Sequence, residues 1–187
     1  KISIESPITD QVRLEREIEE CYGLRECILA PAAINDADTR RMIGHAAGRY
    51  IAASVKEGSR IGVGWGATLD ESLRSVTPHQ TSNVSVISLL GSLVRSASIN
   101  PSVFAWRMAN IFGAESYQLT SPVYVSNRLV RDSLWREPQL MELRERAKTL
   151  HVAIVGVGTI DISSTIFHHG ILPKEFVADL KKAHAIA

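Results

Sequence analysis

Cysteine is nearly absent from this 187-residue sequence: Cys21 and Cys27 are the only two. They do not have the spacing of a Cys-x-x-Cys pair, so neither a disulfide framework nor a zinc site is implied. Free thiols in a reducing cytoplasm are expected. Excess charge of one sign is also lacking. The formal net charge is +1, so no global field recruits nucleic acid. No apolar run is long enough to span a bilayer. The opening Lys1-Ile-Ser-Ile-Glu-Ser-Pro-Ile8 does not have the form of a signal peptide. Internal repeats and low-complexity linkers are missing. Six histidines are scattered, and the one adjacent pair, His168-His169, points apart on any regular element, which favours a surface loop over a joint site. Two phosphate-binding signatures are missing as well. No Lys follows Gly66, which excludes a P-loop. The glycines there run Gly-x-Gly-x-Gly rather than Gly-x-Gly-x-x-Gly, which is the wrong spacing for a dinucleotide turn.

The sequence does contain an ordinary globular composition, 45% hydrophobic and 22% charged, of a length for one domain or one domain with a small lobe. Its organising stretch is Arg60-Ile-Gly-Val-Gly-Trp-Gly-Ala-Thr-Leu69. This reads as a buried strand, Ile61 to Trp65, then a glycine-rich turn and a helix opening near Thr68. A helix start offers unpaired N–H groups to an anion, and Thr68 adds a hydroxyl. A phosphate cradle is one reading, and a tight turn with glycines for packing is the other.

Taken in order, residues 10 to 23 predict an amphipathic helix with a stripe of Val12, Leu14, Ile18 and Tyr22, ended by Gly23. Glu26 to Ala30, bounded by Pro31, predicts a strand. Asn35, Asp36 or Asp38 caps a long helix to about Lys56. Its buried side is expected to use Met42, Ile43, Ala46, Ala47, Tyr50, Ile51 and Ala53. After the central stretch, a short helix runs to Val76, and Asn83 to Leu90 predicts a second strand ending at Gly91-Ser92. A polar loop, Arg95 to Asn100, leads to a helix opened by Pro101 and ended by Gly113. Its residues Val103, Phe104, Trp106 and Phe112 are too many apolar groups for one buried face, so self-association is expected. Glu115 to Leu119 predicts a third strand, 127–135 and 138–149 two helices, and His151 to Val155 a strand ending at Gly156. A loop through Asp161 and Ser164 precedes a last helix from Lys174 to about His184. Alternation of strands and helices implies a parallel sheet with helices on both faces. In such sheets ligands bind beyond the carboxyl ends of the strands, and the loops at Gly64, Gly91 and Gly156 are expected to converge there.

Four segments occur in an order and spacing that resemble a known family: Ile61 to Leu69, Leu89-Leu-Gly-Ser-Leu93, Ser121-Pro-Val-Tyr-Val125 and Ala153-Ile-Val-Gly-Val-Gly158. The opening does too, an acidic amphipathic helix followed by Tyr22-Gly-Leu-Arg-Glu-Cys-Ile-Leu-Ala-Pro31. Together they resemble the effector-binding domain of SorC/DeoR-like bacterial transcriptional regulators, the group containing sorbitol, deoxyribonucleoside and central glycolytic gene regulators. The resemblance covers nearly the whole chain. It implies an α/β, Rossmann-like parallel sheet related to sugar-phosphate isomerases and CoA transferases. It implies a non-catalytic sensor of a sugar or phosphorylated sugar, without a cofactor, in a dimer or tetramer. In the family a helix-turn-helix domain precedes this one, whereas residues 1 to 23 hold a single helix. The chain is therefore expected to be the effector domain, 1–187, without its DNA reader. The closing His184-Ala-Ile-Ala187 stands where the family has a glycine turn before a final strand, so the end of the family domain is expected to be missing.

Residue by residue, the resemblance places Trp65, Gly66, Ala67 and Thr68 in the phosphate-cradling turn and Gly91 and Ser92 in a second ligand loop. It places Asn100 at a sugar-contacting position and Asp161 in a third loop, where a carboxylate accepts from sugar hydroxyls. Structural alternatives stand beside these. Trp65 suits a core, Asn100 suits the cap of the helix opened by Pro101, and Asp161 suits a turn. An enzyme of the sugar-phosphate isomerase type is the competing function. It needs a general base, for which Asp161 or Glu71 are the candidates. No Lys, His or Arg falls immediately within the three glycine loops, and Arg95 is the nearest, which favours the sensor. One expectation follows from the charge balance and the single N-terminal helix. A mobility-shift titration of this chain at physiological salt should give no sequence-specific operator binding, and a specific complex would overturn the assignment.

Overall fold

A computed structural model describes residues 7–93, 100–162, 164–168 and 170–184. Four parallel strands, β1 (Arg60–Val63), β2 (Ser85–Ser88), β3 (Glu115–Tyr117) and β4 (Val152–Ile154), form one sheet in the order β3-β2-β1-β4. Ile61 stands opposite Val86 on one side and Val152 on the other, and Val63 opposite Ser88 and Ile154. The helices are α1 (Pro7–Tyr22), α2 (Asp36–Ser54), α3 (Ala67–Leu73), α4 (Pro101–Phe112), α5 (Arg128–Leu134), α6 (Pro138–Ala147), α7 (Thr165–His168) and α8 (Phe176–Lys182). His168 ends α7, while His169, Arg95 and the N-terminal segment to Ser6 lie outside the described residues.

Strand alternation divides the core in two. On one face Ile61, Val63 and Val86 pack with Leu69 and Leu73 of α3 and with Phe104, Ala105, Met108 and Phe112 of α4. On the other, Ile87 packs with Leu119 and with Leu140 and Leu143 of α6. Helices therefore cover both faces, as the alternation predicts, and the fold is Rossmann-like α/β. Local chemistry sets the helix ends. The Asn35 carboxamide oxygen accepts from Asp38 N at 2.9 Å to cap α2, and Asn127 accepts from Val130 N at 3.1 Å to cap α5. Gly113 ends α4 with φ 63°, the left-handed geometry of a glycine stop. At the β3 edge the Tyr117 hydroxyl donates to Glu115 at 2.7 Å, and the Arg146 guanidinium lies 4.4 Å from the ring centre. The hydrogen bond to the Glu115 carboxylate, and then burial, holds the phenol above its ordinary pKa.

Three expectations are corrected. Glu26 to Ala30 forms no strand. Instead α1 side chains take its backbone groups at alternate residues: Cys27 N donates to Glu19 at 2.7 Å, Leu29 N donates to Glu15 at 2.8 Å, and Leu29 O accepts from Gln11 at 3.0 Å. With those groups satisfied, the segment has no need of a strand partner. Second, of the apolar face expected to bury α2 only Ile51 joins the core. Val12, Leu14 and Tyr22 are exposed, as are Met42, Ile43 and Tyr50. The buried face of α2 is Gly44, Gly48 and Ile51, because α2 lies directly on α3. Third, Phe104 and Phe112 of α4 are core residues, and only Val103 and Trp106 remain exposed there.

The α2–α3 contact leaves no room for a methyl group. A Cβ on Gly48 would lie 2.3 Å from the Ser72 carbonyl oxygen, and one on Gly44 2.6 Å from the Glu71 Cβ. Gly48→Ala should therefore force the helices apart and lower stability by about 2–3 kcal/mol, as overpacked cores do. Urea denaturation measures it. An unchanged midpoint would mean the helices separate without cost.

Candidate functional site

Strand order locates the crevice. From β1 the chain steps to β2 and then β3 in one direction, and β4 lies on the opposite side of β1. The helices of the first two crossovers, α3 and α4, pack on one face, while α6, between β3 and β4, packs on the other. The order thus reverses at β1, and the space beyond the carboxyl ends of β1 and β4 is a topological switch point. Backbone bonds hold its walls. Gly64 N donates to Ile154 O at 2.8 Å, and Leu89 N donates to Val63 O at 2.9 Å. A Cβ on Gly156 would lie 3.3 Å from Trp65 O, so the loops after β1 and β4 run side by side.

Trp65, Gly66, Ala67 and Thr68 form the β1 wall, all half-buried. Trp65 is thus not a core residue. Gly66 has φ 138° and, among the described residues, nothing within 4 Å of a built Cβ. Backbone conformation alone requires glycine there, and the space beside it is open. Helix α3 starts at Ala67, one residue earlier than expected, which puts Thr68 in its first turn. The rest of α3 is anchored. Leu69 and Leu73 are buried, Asp70 pairs with Arg107 of α4, and Glu71 pairs with Arg74 at 3.5 Å while its Cβ sits against Gly44. That packing directs Glu71 toward α2, which weakens it as a candidate base.

The second loop has a structural job. A Cβ on Gly91 would lie 2.4 Å from Ser121 O and 2.7 Å from Pro122. Ser92 N donates to Ser121 O at 2.7 Å, and Val123 N donates to Ser92 O at 3.2 Å. Gly91 and Ser92 therefore clasp the loop after β2 to the loop after β3. Asn100 caps α4: its oxygen accepts from Ser102 N at 3.3 Å and Ser102 Oγ at 2.7 Å, and its nitrogen donates to Leu93 O at 3.0 Å. Ser102 Oγ also lies 3.1 Å from Ser92 Oγ. Asp161 organises a turn, accepting from Thr159 Oγ1 at 2.7 Å and, through its carbonyl, from Ser164 N at 3.0 Å. The structure thus brings Trp65 to Thr68 beside the loop after β4. It places Gly91 and Ser92 one strand away, and Asn100 at the start of α4.

Two cavities lie elsewhere, and no motif in the sequence announces them. One of about 530 Å³ lies between the ends of β2 and β3 and helices α5 and α6, with Gly91 in its wall. The other, about 900 Å³, lies between the free edge of β4, the segment from Glu26 to Ala33, and α2. Ile43, Ala46, Ala47 and Tyr50, expected in the core, line it. Neither cavity is lined by Trp65 to Thr68, Asn100 or Asp161. Among the described residues no group of His, Cys, Asp and Glu is placed to hold a metal, and no helix is long and apolar enough to cross a membrane.

A parallel sheet wound in two directions, with its strand order reversing at β1, is the architecture of doubly wound α/β domains. The chain matches the Sugar-bind model, a sugar-binding domain, over residues 6–187, and it belongs to that family, the sugar-binding domains of SorC/DeoR-type transcriptional regulators. Among curated relatives, the erythritol catabolism regulatory protein EryD of Brucella abortus is 25% identical over 174 residues, 92% of this chain and 55% of that protein. The deoxyribonucleoside regulator of Bacillus subtilis is 27% identical over 189 positions, 97% of this chain and 59% of that protein. The chain thus spans little more than half the length of these relatives. The full-length sorbitol operon regulator SorC of Klebsiella pneumoniae has the same fold, with a TM-score of 0.84 at 19% identity, covering 98% of this chain and 61% of that one. A domain of a "possible sugar-binding transcriptional regulator" from Arthrobacter aurescens gives 0.82 at 25% identity, covering 95% of this chain and 70% of that one.

The capping geometry makes a prediction that separates the two readings of Asn100. Asn100→Ala should cost about 1 kcal/mol of stability, the usual loss of a cap, and Asn100→Asp should restore most of it. Chemical denaturation of both variants is the check. Equal loss in both would show that the carboxamide matters for something other than capping.

Proposed function

We propose that this domain senses a sugar or phosphorylated sugar at the crevice between β1 and β4, without catalysis. The observation that carries the reading is the turn Trp65 to Thr68 at the switch point: Gly66 is held in a conformation only glycine adopts readily, with open space beside it. Thr68 supplies a hydroxyl donor to an oxyanion at that mouth. Asp161, in the loop after β4, is the candidate acceptor for sugar hydroxyls, and Gly91 and Ser92 brace the crevice through backbone contacts. The relatives are transcriptional regulators, and this favours a sensor over an isomerase. Binding would shift the balance between arrangements of loops and subunits and so alter DNA affinity in a regulator that carries a DNA-binding part. We place the protein in the cytoplasm, as a dimer or tetramer. Trp106, 53% exposed on α4 beside Val103, is a candidate contact between subunits. Sedimentation velocity at tens of micromolar should detect the assembly.

Replacing Thr68 with Val keeps the shape and removes the donor. A hydrogen bond to a charged partner contributes about 1.5–3 kcal/mol, so affinity for the phosphorylated effector should fall about 10- to 100-fold. Thr77→Val, at an exposed site outside the crevice, should leave affinity unchanged. A thermal-shift screen of phosphorylated and free sugars finds the effector first, since a ligand at 100 times its Kd stabilises by about 2.7 kcal/mol. If Thr68→Val binds as tightly as wild type, the anion site lies elsewhere. Ribose 5-phosphate and glucosamine 6-phosphate should remain unconverted on long incubation, and product formation would reinstate the isomerase.

A further inference from the structure

We propose that the cavity of about 530 Å³ between the β2 and β3 loops and helices α5 and α6 is a second ligand site, which takes a small aromatic monoanion. It is separate from the crevice between β1 and β4, since none of Trp65 to Thr68 lines it. Its volume falls in the range of small-molecule pockets, about 300–1,000 Å³. Its floor is apolar, formed by Leu119, Leu134, Trp135 and Leu140, and two cations, Arg128 and Arg131, stand in its wall. That combination, an apolar body with a few charged groups to fix orientation, is how ligand pockets are built.

The charge of the wall selects the ligand. Asp132 pairs with Arg131 at 2.7 Å and with Arg128 at 3.5 Å. Two guanidinium groups share one carboxylate, so this α5 cluster retains one net positive charge in the cavity wall, with Arg144 behind Trp135 outside the lining, and one negative charge on a ligand matches it. The Trp135 indole lines the same floor with the Arg144 guanidinium over its ring at 5.6 Å, so the part of the indole left to the cavity is what favours a flat ring over a flexible chain. The clasp described above fixes the cavity's inner wall. Gly91 lines the cavity and touches Ser121 and Pro122, and Ser92 bonds the same loop. The wall is therefore set by backbone contacts before any ligand arrives.

The test uses naphthalene-1-sulfonate as the probe and naphthalene-1-sulfonamide as its neutral isostere, titrated by calorimetry into the full chain. The sulfonate should bind one to one, with the sulfonamide at least tenfold weaker. Arg131→Gln, a surface change that leaves the core intact, should weaken the sulfonate about tenfold and leave the sulfonamide unchanged. Val123→Phe, which fills the cavity from its rim, should abolish binding of both, with a melting curve confirming the fold. Ala47→Leu narrows the cavity at the β4 edge and should have no effect. Thr68→Val should also have none, which keeps this site's fate independent of the sugar crevice. The proposal is overturned if the sulfonate shows no saturable binding at millimolar concentration. Equal affinity for the two probes, or binding lost with Ala47→Leu and retained in Val123→Phe, would overturn it too.

Discussion

Everything at the crevice depends on β1 being held on all four sides. Its edges are paired to β2 and β4, and Ile61 and Val63 are fully buried beneath α3 and α4. On the other face, Gly62 leaves a space already filled by leucine: a Cβ there would lie 2.4 Å from Leu150 Cδ1 and 3.0 Å from Leu89 Cδ1. A strand so confined fixes where its carboxyl end emerges. The Gly64-to-Ile154 and Leu89-to-Val63 hydrogen bonds extend that confinement past the strand ends into the loops. Position at the crevice is thus inherited from core packing rather than supplied by the loop itself. Functional loops are commonly carried in this way on a rigid scaffold.

Glycine in this chain answers three different demands, and only the structure separates them. At Gly62, Gly44 and Gly48 a side chain has no volume to occupy. At Gly91 two loops approach so closely that a Cβ would strike backbone, which no rotamer change relieves. At Gly66 there is space, and the demand is conformational. A sequence presents these as the same letter. The three glycine loops expected to converge on one ligand thus include one open turn, at Gly66, and one clasp, at Gly91. The clasp ties the loop after β2 to the loop after β3.

Most of the fold was legible because its elements carry strong local signals: the alternation of apolar runs with capped helices, Pro101 and Pro138 in first turns, Gly113 as a stop. The misreadings have a common cause. Apolar residues at the right period in α2 were assigned to the core, but Ile43, Ala46, Ala47 and Tyr50, with the segment Glu26 to Ala33, border a cavity beside β4. Periodicity tells which side of a helix is apolar, not whether something packs against it. Glu15 and Glu19, which no motif singles out, take the place of a sheet partner for Leu29 and Cys27. The cavity beside α5 was invisible for another reason: its wall is drawn from Leu89, Leu119, Val123 and Leu140, which no spacing rule joins.

The two ends of α3 show how rigidity and access are divided. Its body is fixed by Leu69, Leu73 and a buried Ser72 whose hydroxyl donates to Leu69 O at 2.7 Å, and α2 lies on it through glycine contact. Arg107 reaches from α4 to Asp70 and holds the first turn against the neighbouring helix. Its start, Gly66 to Thr68, is half-buried and meets open space. Donors mounted there would lose little conformational freedom to a ligand, because packing has already ordered the backbone that bears them. The loop after β4 is more exposed: Val157 is 88% exposed between Gly156 and Gly158. One wall of the crevice is therefore packed into the core, and the other stands out from it. For a ligand that bridges them, only a difference in affinity between arrangements of the walls could be transmitted.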